Sequence, residues 1–340
     1  MAIYFPALRW KLGERCALEN LIPTVKDQIA PIIGFPLDCN YIDPKFGNFC
    51  TTATHDWGVG RPFYLDLSTV NYDKAPKDEH PALSLLRTGQ QQQLAIIPVL
   101  TPDMDPSLLE AIKQAHEESS FKNVALRITA NEEDDAVLAV RTIINDLGMD
   151  IPDIDLIIDL CDISDGAINQ KLILLNALIS LFGANYRRTI LVSGAVPQQI
   201  RDHVGTDESK RIPRYDWQLW LRARRRFPQL LFGDYTIIPC LFREVQYQGP
   251  PKIRYTLEKE WFVIRGHRQR QRDNQRQEQA MIIANAPFFR GAQHSFGEMR
   301  LRQCADGTWG PGSPTNWVTN DVNQHITFVV SQVSAILAAP

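Results

Sequence analysis

Eight short apolar runs of strand length recur along the first 240 residues, and each but the last is followed by a helical segment or a loop. They are YFPAL (4–8), PIIGFPLD (31–38), RPFYLDLS (61–68), LAIIPVLTP (94–102), NVALRITA (123–130), DLIIDLCD (155–162), RTILVSGAV (188–196) and LLFGDYTII (230–238). Parallel strands need crossovers of this kind. Eight of them match a (βα)8 barrel better than any other simple count, while a doubly wound sheet would use the same alternation with fewer strands. The expected fold is therefore α/β: a (βα)8 TIM-like barrel over residues 1–240, with a basic C-terminal α+β extension over 241–340 packed on it.

Local signals agree with this frame. Asp105 stands where it would cap a helix with Pro106 in its first position. The segment DCNYIDPKFGNFCTTATHDWG is too irregular for one clean helix and falls where a functional loop could sit. Beyond Pro239 the style changes. FREVQYQG and KIRYTLEKEWFVIRG read as two strands joined by a Gly-Pro-Pro turn, HRQRQRDNQRQEQAMII as a helix that starts basic, HSFGEMRLRQC as a strand, and HITFVVSQVSAILA as a terminal helix or strand-helix docking on the barrel.

With 44% hydrophobic and 22% charged residues, the chain has the balance of a globular protein, neither disordered nor fibrous. No run approaches the roughly 18 apolar residues a membrane span needs, and the N-terminus lacks signal-peptide form, so a cytoplasmic setting is expected. The six cysteines are scattered with no C-x-x-C pair, which argues against a disulfide scaffold or a zinc knuckle. The net charge of −3 hides an asymmetry: residues 1–210 hold 18 Lys and Arg against 29 Asp and Glu, and residues 211–340 hold 18 against 10. Such a split suits an anionic partner at the basic end, or two parts that attract each other or a second subunit, so a homo-oligomer is expected.

In a parallel barrel, polar groups at the C-terminal ends of the strands converge on one rim. Reading them off gives Lys11, Asp66, Thr101, Arg127, Asp159, Asp162, Ser193, Asp234 and Tyr235. Charges inside apolar runs imply mutual pairing or a polar cavity. On the functional reading Lys11, Arg127, Ser193 and Arg265 bind a phosphorylated or otherwise anionic substrate. Asp66, Asp159 and Asp234 then do acid–base work or hold a divalent metal, Mg²⁺ or Mn²⁺, with Tyr235 and His325 assisting. The plainer reading is an interior ion-pair network, or strand residues that face outward to the helices. Ser193 lacks the G-x-S-x-G setting of a nucleophile, the histidines lack zinc spacing, and neither a GxxxxGK[ST] nor a GxGxxG loop is present.

A basic stretch stands apart: Arg222, Arg224, Arg225 and Arg226, then Arg265, His267, Arg268, Arg270, Arg272 and Arg276, with Trp217, Trp220 and Trp261 nearby. Arginines interleaved with aromatics suit phosphate backbones and stacked bases, although a basic helix face is more often simply solvated. This is the basis of an alternative in which the chain is a non-catalytic sensor or scaffold that binds nucleic acid or a phage protein.

The blocks YFPALRWKLGERCAL, IPRYDWQLW, LFGDYTI, RYTLEKEWFVIRG, HSFGEMRLRQCADG and NWVTNDVNQHIT resemble, in order and spacing, the beta protein family of phages and bacterial genomes. The resemblance runs nearly end to end. It implies a setting in phages, prophages and the conflict between phage and host, including antiviral defence, and carries no reaction. It points to Lys11, Glu14, Asp216, Trp217, Gly233, Asp234, Tyr235, Trp261, Arg265, Gly266, Ser295, Gly297, Trp317 and His325. Where the family pattern has paired histidines and an aspartate, this chain has Gln324 with His325, and Glu298.

Overall fold

The computed structural model describes residues 2–76, 78–118, 121–129, 135–183, 185–240, 249–268 and 274–338. Seven parallel strands follow one another: β1 (Tyr4–Arg9), β2 (Ile32–Gly34), β3 (Pro62–Asp66), β4 (Ala95–Leu100), β5 (Val124–Thr129), β6 (Ile154–Asp162) and β7 (Arg188–Gly194). The chain then forms β8 (Glu208–Pro213) and the helix Tyr215–Arg224 before β9 (Leu231–Asp234), which pairs with both β7 and β1. Eight strands thus close a barrel, and each of the eight apolar runs supplies one.

Side-chain alternation decides what lies inside. Phe5, Ala7, Ile32, Tyr64, Ile97, Val99, Ala125, Ile157, Ile190 and Val192 form one buried cluster, the filling of the barrel. Their neighbours in sequence, such as Tyr4, Leu8, Leu65, Leu126 and Ile158, belong to the larger core under the helices. Gly233 lets β9 approach β1 and β7: a Cβ there would stand 2.7 Å from Phe5 O and 2.9 Å from Val192 Cγ2. Both ends of the filling are polar. At the N-terminal end, buried Asp155 accepts from Arg187 Nε at 2.9 Å and from the Tyr64 hydroxyl at 2.7 Å; the other end is the site described below.

Beyond the barrel, β10 (Lys252–Thr256) and β11 (Glu260–Arg265) form an antiparallel hairpin, and β8 adds to the far side of β11. The hairpin turns at 257–259, not at the Gly-Pro-Pro, so the KIRYTLEKEWFVIRG stretch alone makes both strands. The FREVQYQ part of the expected pair lies outside the described residues, as do Arg270 and Arg272. HSFGEMRLRQC is a helix (Phe296–Ala305) instead of a strand. Ser295 Oγ accepts from the Glu298 amide at 3.1 Å and donates to its carboxylate at 3.1 Å, a capping arrangement that the apolar-polar alternation of the segment concealed.

The terminal helix Pro314–Ala338 lies along the outside of the barrel beside the first helix, Leu12–Glu19. Thr319 Oγ1 donates to Gly13 O at 3.0 Å and Asn323 Nδ2 to Ala17 O at 3.1 Å. It therefore takes the place of the eighth barrel helix, and residues 249–313 are inserted between the eighth barrel strand and that helix.

Candidate functional site

Three barrel strands carry, at or near their C-terminal ends, an aspartate used in the same way. In each, Oδ1 accepts the amide two residues on: Ser68 N for Asp66 at 3.0 Å, Cys161 N for Asp159 at 2.9 Å, and Thr236 N for Asp234 at 2.9 Å. Each carboxylate so fixes its own strand-end turn. Cys161 and Thr236 carry positive φ angles of 50° and 54°, backbone that side-chain-bearing residues seldom adopt. Oδ2 of each aspartate is then free for a partner elsewhere, and the partners differ.

Asp66 and Asp159 face the barrel mouth and share Arg127. Arg127 Nη1 donates to Asp66 Oδ2 at 2.6 Å, Nε to Asp159 Oδ2 at 3.0 Å, and Nη2 to Tyr235 Oη at 2.8 Å, while the Tyr235 hydroxyl donates to Asp159. Burial opposes the guanidinium's charge, but Tyr235, Asp159 and Asp66 together hold it firmly cationic. Burial and the Asp159 charge push the Tyr235 phenol well above its ordinary range, so it is a proton donor and no phenolate.

In front of Arg127 opens a cavity of about 560 Å³ between the ends of β3, β4 and β5. Its walls include Asp66, Asp73, Thr101, Asp103, Asp105, Arg127 and Thr129. Asp105 caps the helix Pro106–Glu117 as expected, accepting from Ser107 N at 2.8 Å, and that bond with the Ser107 hydroxyl's holds its pKa below the usual range. The described wall residues all come from positions 66–129.

Asp234 is not part of that mouth. It lies on the outer face of β9, where Oδ2 is 3.0 Å from His325 Nε2 and 3.9 Å from Arg214 Nη2, and Oδ1 accepts the Tyr4 hydroxyl at 2.6 Å. A shared site for Asp66, Asp159 and Asp234 is thus corrected by one step of strand alternation: Asp234 points out where Tyr235 points in. Burial works to raise the Asp234 pKa, but His325, Arg214 and Tyr4 hold it below the carboxylate range. Burial pushes His325 below its own ordinary value despite Asp234. His325 Nδ1 is 2.9 Å from Thr256 Oγ1, which completes a hydroxyl–imidazole–carboxylate chain. All three side chains are fully buried, so the chain ties the terminal helix and β10 to the barrel wall and presents no nucleophile.

Around it, buried Arg214 donates from Nη1 to Leu257 O at 3.1 Å and Gln332 Oε1 at 2.7 Å, between the rings of Trp217 and Trp261. Burial raises the pKa of nearby Asp216 against the pull of Arg214. Several residues that carry the family resemblance therefore serve to lock the insertion and terminal helix to the barrel.

The remaining expected site residues are dispersed. Lys11 stands at the start of the helix Leu12–Glu19 and acts on buried Glu14, whose carboxyl burial pushes up to about 7. Ser193 lies beside Asp234 in register, on the outer face and buried. Arg265 donates to Val204 O at 3.2 Å and Thr206 Oγ1 at 3.3 Å. Trp217, Trp220 and Trp261 are core residues and unavailable for base stacking, and Arg276 is buried as well. Among the described residues the one group of three close metal-type ligands is Glu19, His55 and Asp56, where Arg15 Nε already pairs with Asp56 at 2.7 Å. The mouth carboxylates are bridged by Arg127, which takes the place a cation would occupy between them.

Sequence reading missed Arg9. It shares the inward face with Phe5 and Ala7 and donates to Phe35 O at 3.4 Å and Cys240 O at 3.2 Å, in the loops after β2 and β9. Counting alternation one residue past the apolar run would have found it.

The family model described as Beta protein matches residues 4–331. The chain belongs to the Beta protein family. No curated protein matches it. Among solved structures it is similar to triosephosphate isomerase from Bartonella henselae, with 12% identity and a TM-score of 0.36 over 68% of this chain and 90% of that one. In this member of the Beta protein family no helix among the described residues is long and apolar enough to cross a membrane.

Proposed function

We propose that the barrel mouth of this Beta protein is a binding site for a small hydroxyl-rich or cationic molecule. The observation that carries the reading is the lining of the 560 Å³ cavity, in which, among the described residues, Asp66, Asp73, Asp103 and Asp105 stand against one cation, Arg127. Arg127 is already engaged by two carboxylates and a phenol, which weighs against the anionic substrate expected from sequence. Thr101 and Thr129 add polar contacts, and the size suits a small ligand. Asp159 and Tyr235 stand behind Arg127 and fix its plane, as positioning residues for the group the ligand meets. Native mass spectrometry of the freshly purified protein tests this: a small-molecule adduct on the wild type that is absent from Asp103→Asn is expected. An adduct retained equally by that variant would refute the assignment.

The physiological setting we propose, carried over from the family resemblance, is phage–host conflict. Expressing wild type and Asp103→Asn in a host under phage challenge should give different plating efficiencies; identical values would detach the cavity from that role. A second reading, a nucleic-acid or phage-protein sensor, rests on exposed Arg222, Arg225 and Arg226 at the end of the helix Tyr215–Arg224. Its mark would be oligonucleotide binding that weakens steeply with salt.

A further inference from the structure

Two arginines of the inserted C-terminal region, Arg254 and Arg276, are buried near the carboxylate of Asp321 on the terminal helix. Arg254 on β10 donates its backbone N–H to Asp321 Oδ2 at 3.0 Å and brings Nη1 to 3.8 Å from the same oxygen. Arg276, in the first turn of the helix Gln275–Ala284, is 6% exposed, with its guanidinium carbon 5.3 Å from the centre of the Trp317 ring. Lys252, half-buried, opens β10 opposite Arg265. Among the described residues Asp321 is the carboxylate that acts on all three cations.

Two guanidinium atoms here, Arg254 Nε and Arg276 Nη1, are buried and hold no hydrogen bond. A buried donor without an acceptor, on a charged group, is expensive, and the cost falls if an acceptor of opposite charge enters. The strain shows in the titration of the cluster. Arg254 and then burial push the Lys252 ammonium down to about 7, and burial pushes Arg276 down to about 10. Burial also lifts Asp321 to about 7, which weakens the counter-charge these cations share. The N-terminal amides of the helix Gln275–Ala284 add partial positive charge at the same place.

We propose that Lys252, Arg254 and Arg276 form a binding site for a small oxyanion of the phosphate class, separate from the barrel-mouth cavity. Burial of both arginines limits the occupant to a free ion or a terminal phosphate monoester, and half-buried Lys252 marks the way in. A polynucleotide backbone, which needs an open groove, does not fit.

Titration calorimetry on the full chain, with inorganic phosphate at constant ionic strength, tests this. Saturable one-to-one binding is expected, weakened at least tenfold in Lys252→Met and in Arg276→Gln and unchanged in Arg201→Met, at an exposed arginine elsewhere. Lys252→Met keeps the test sound if Arg276→Gln unfolds, since Lys252 is half-buried and circular dichroism checks its fold. Binding of phosphate alone assigns a free ion, and binding of adenosine monophosphate as well assigns a terminal monoester; either supports the site. No saturable binding of either, or equal affinity in Lys252→Met, overturns it.

Discussion

Arg127 Nη1 on β5 lies 2.6 Å from Asp66 Oδ2 on β3, reaching past β4 across the barrel mouth. With Asp159 on its other side, the guanidinium stands between two carboxylates that would otherwise repel each other without a counter-charge. Arg127→Met should therefore cost about 3–5 kcal/mol, the penalty for removing one partner of a buried ionic cluster. Urea denaturation reads this directly, and adding Asp66→Asn and Asp159→Asn to the variant should recover part of the loss. A change below about 1 kcal/mol would mean that the cluster is solvated and the mouth is not preorganised.

Glu14 gives the protein a pH dependence of unusual sign for a carboxylate. Its folded pKa, about 7, lies above the ordinary 4.5 because burial disfavours the ion. The stability it contributes is fully present below about pH 4.5 and is lost as pH rises through about 7. Glu14→Gln should remove that loss, on the order of 3 kcal/mol by pH 8, and flatten the denaturation midpoint between pH 5 and 8 relative to wild type. Parallel pH profiles for the two proteins would contradict the burial argument.

His325 acts in the opposite direction. Its folded pKa is lowered by burial, so the unfolded chain takes up a proton near pH 6.5 that the folded chain refuses. Its contribution is present above that pH and is lost as pH falls toward the lowered value. In His325→Gln the decline of stability below pH 6.5 should be shallower, as thermal melts from pH 7.5 to 5 would show.

Gly233→Ala places a methyl 2.7 Å from Phe5 O, a backbone atom with little room to move. Overpacking at the seam between β9 and β1 should lower stability by about 1–3 kcal/mol, read as a fall in the melting temperature. An unchanged melt would mean that the barrel closes less tightly than this geometry requires.

The barrel was legible because parallel strands buried on both faces read as apolar runs, and all eight runs became strands. Three of the four members of the mouth cluster were legible for the same reason: Asp66, Arg127 and Asp159 interrupt such runs where a charge needs a partner, and Tyr235 stands in the last run. Asp234 misled because strand alternation turns on a single residue, and its partners, Tyr4, Arg214 and His325, are far from it in sequence. Likewise β8 was hidden in a polar stretch, since four of its six residues are exposed and only Ile212 is buried against the hairpin. The role of the terminal helix depends on contacts with residues about 300 positions earlier, which no local pattern encodes.

For the barrel mouth the decisive measurement is calorimetric titration of a panel of sugars, polyols and amines with their phosphorylated counterparts. The expected result is saturable binding of at least one uncharged or cationic member, at least tenfold weaker in Asp103→Asn and unchanged in Lys252→Met. Preference for the phosphorylated counterpart, or affinity indifferent to Asp103, would contradict it.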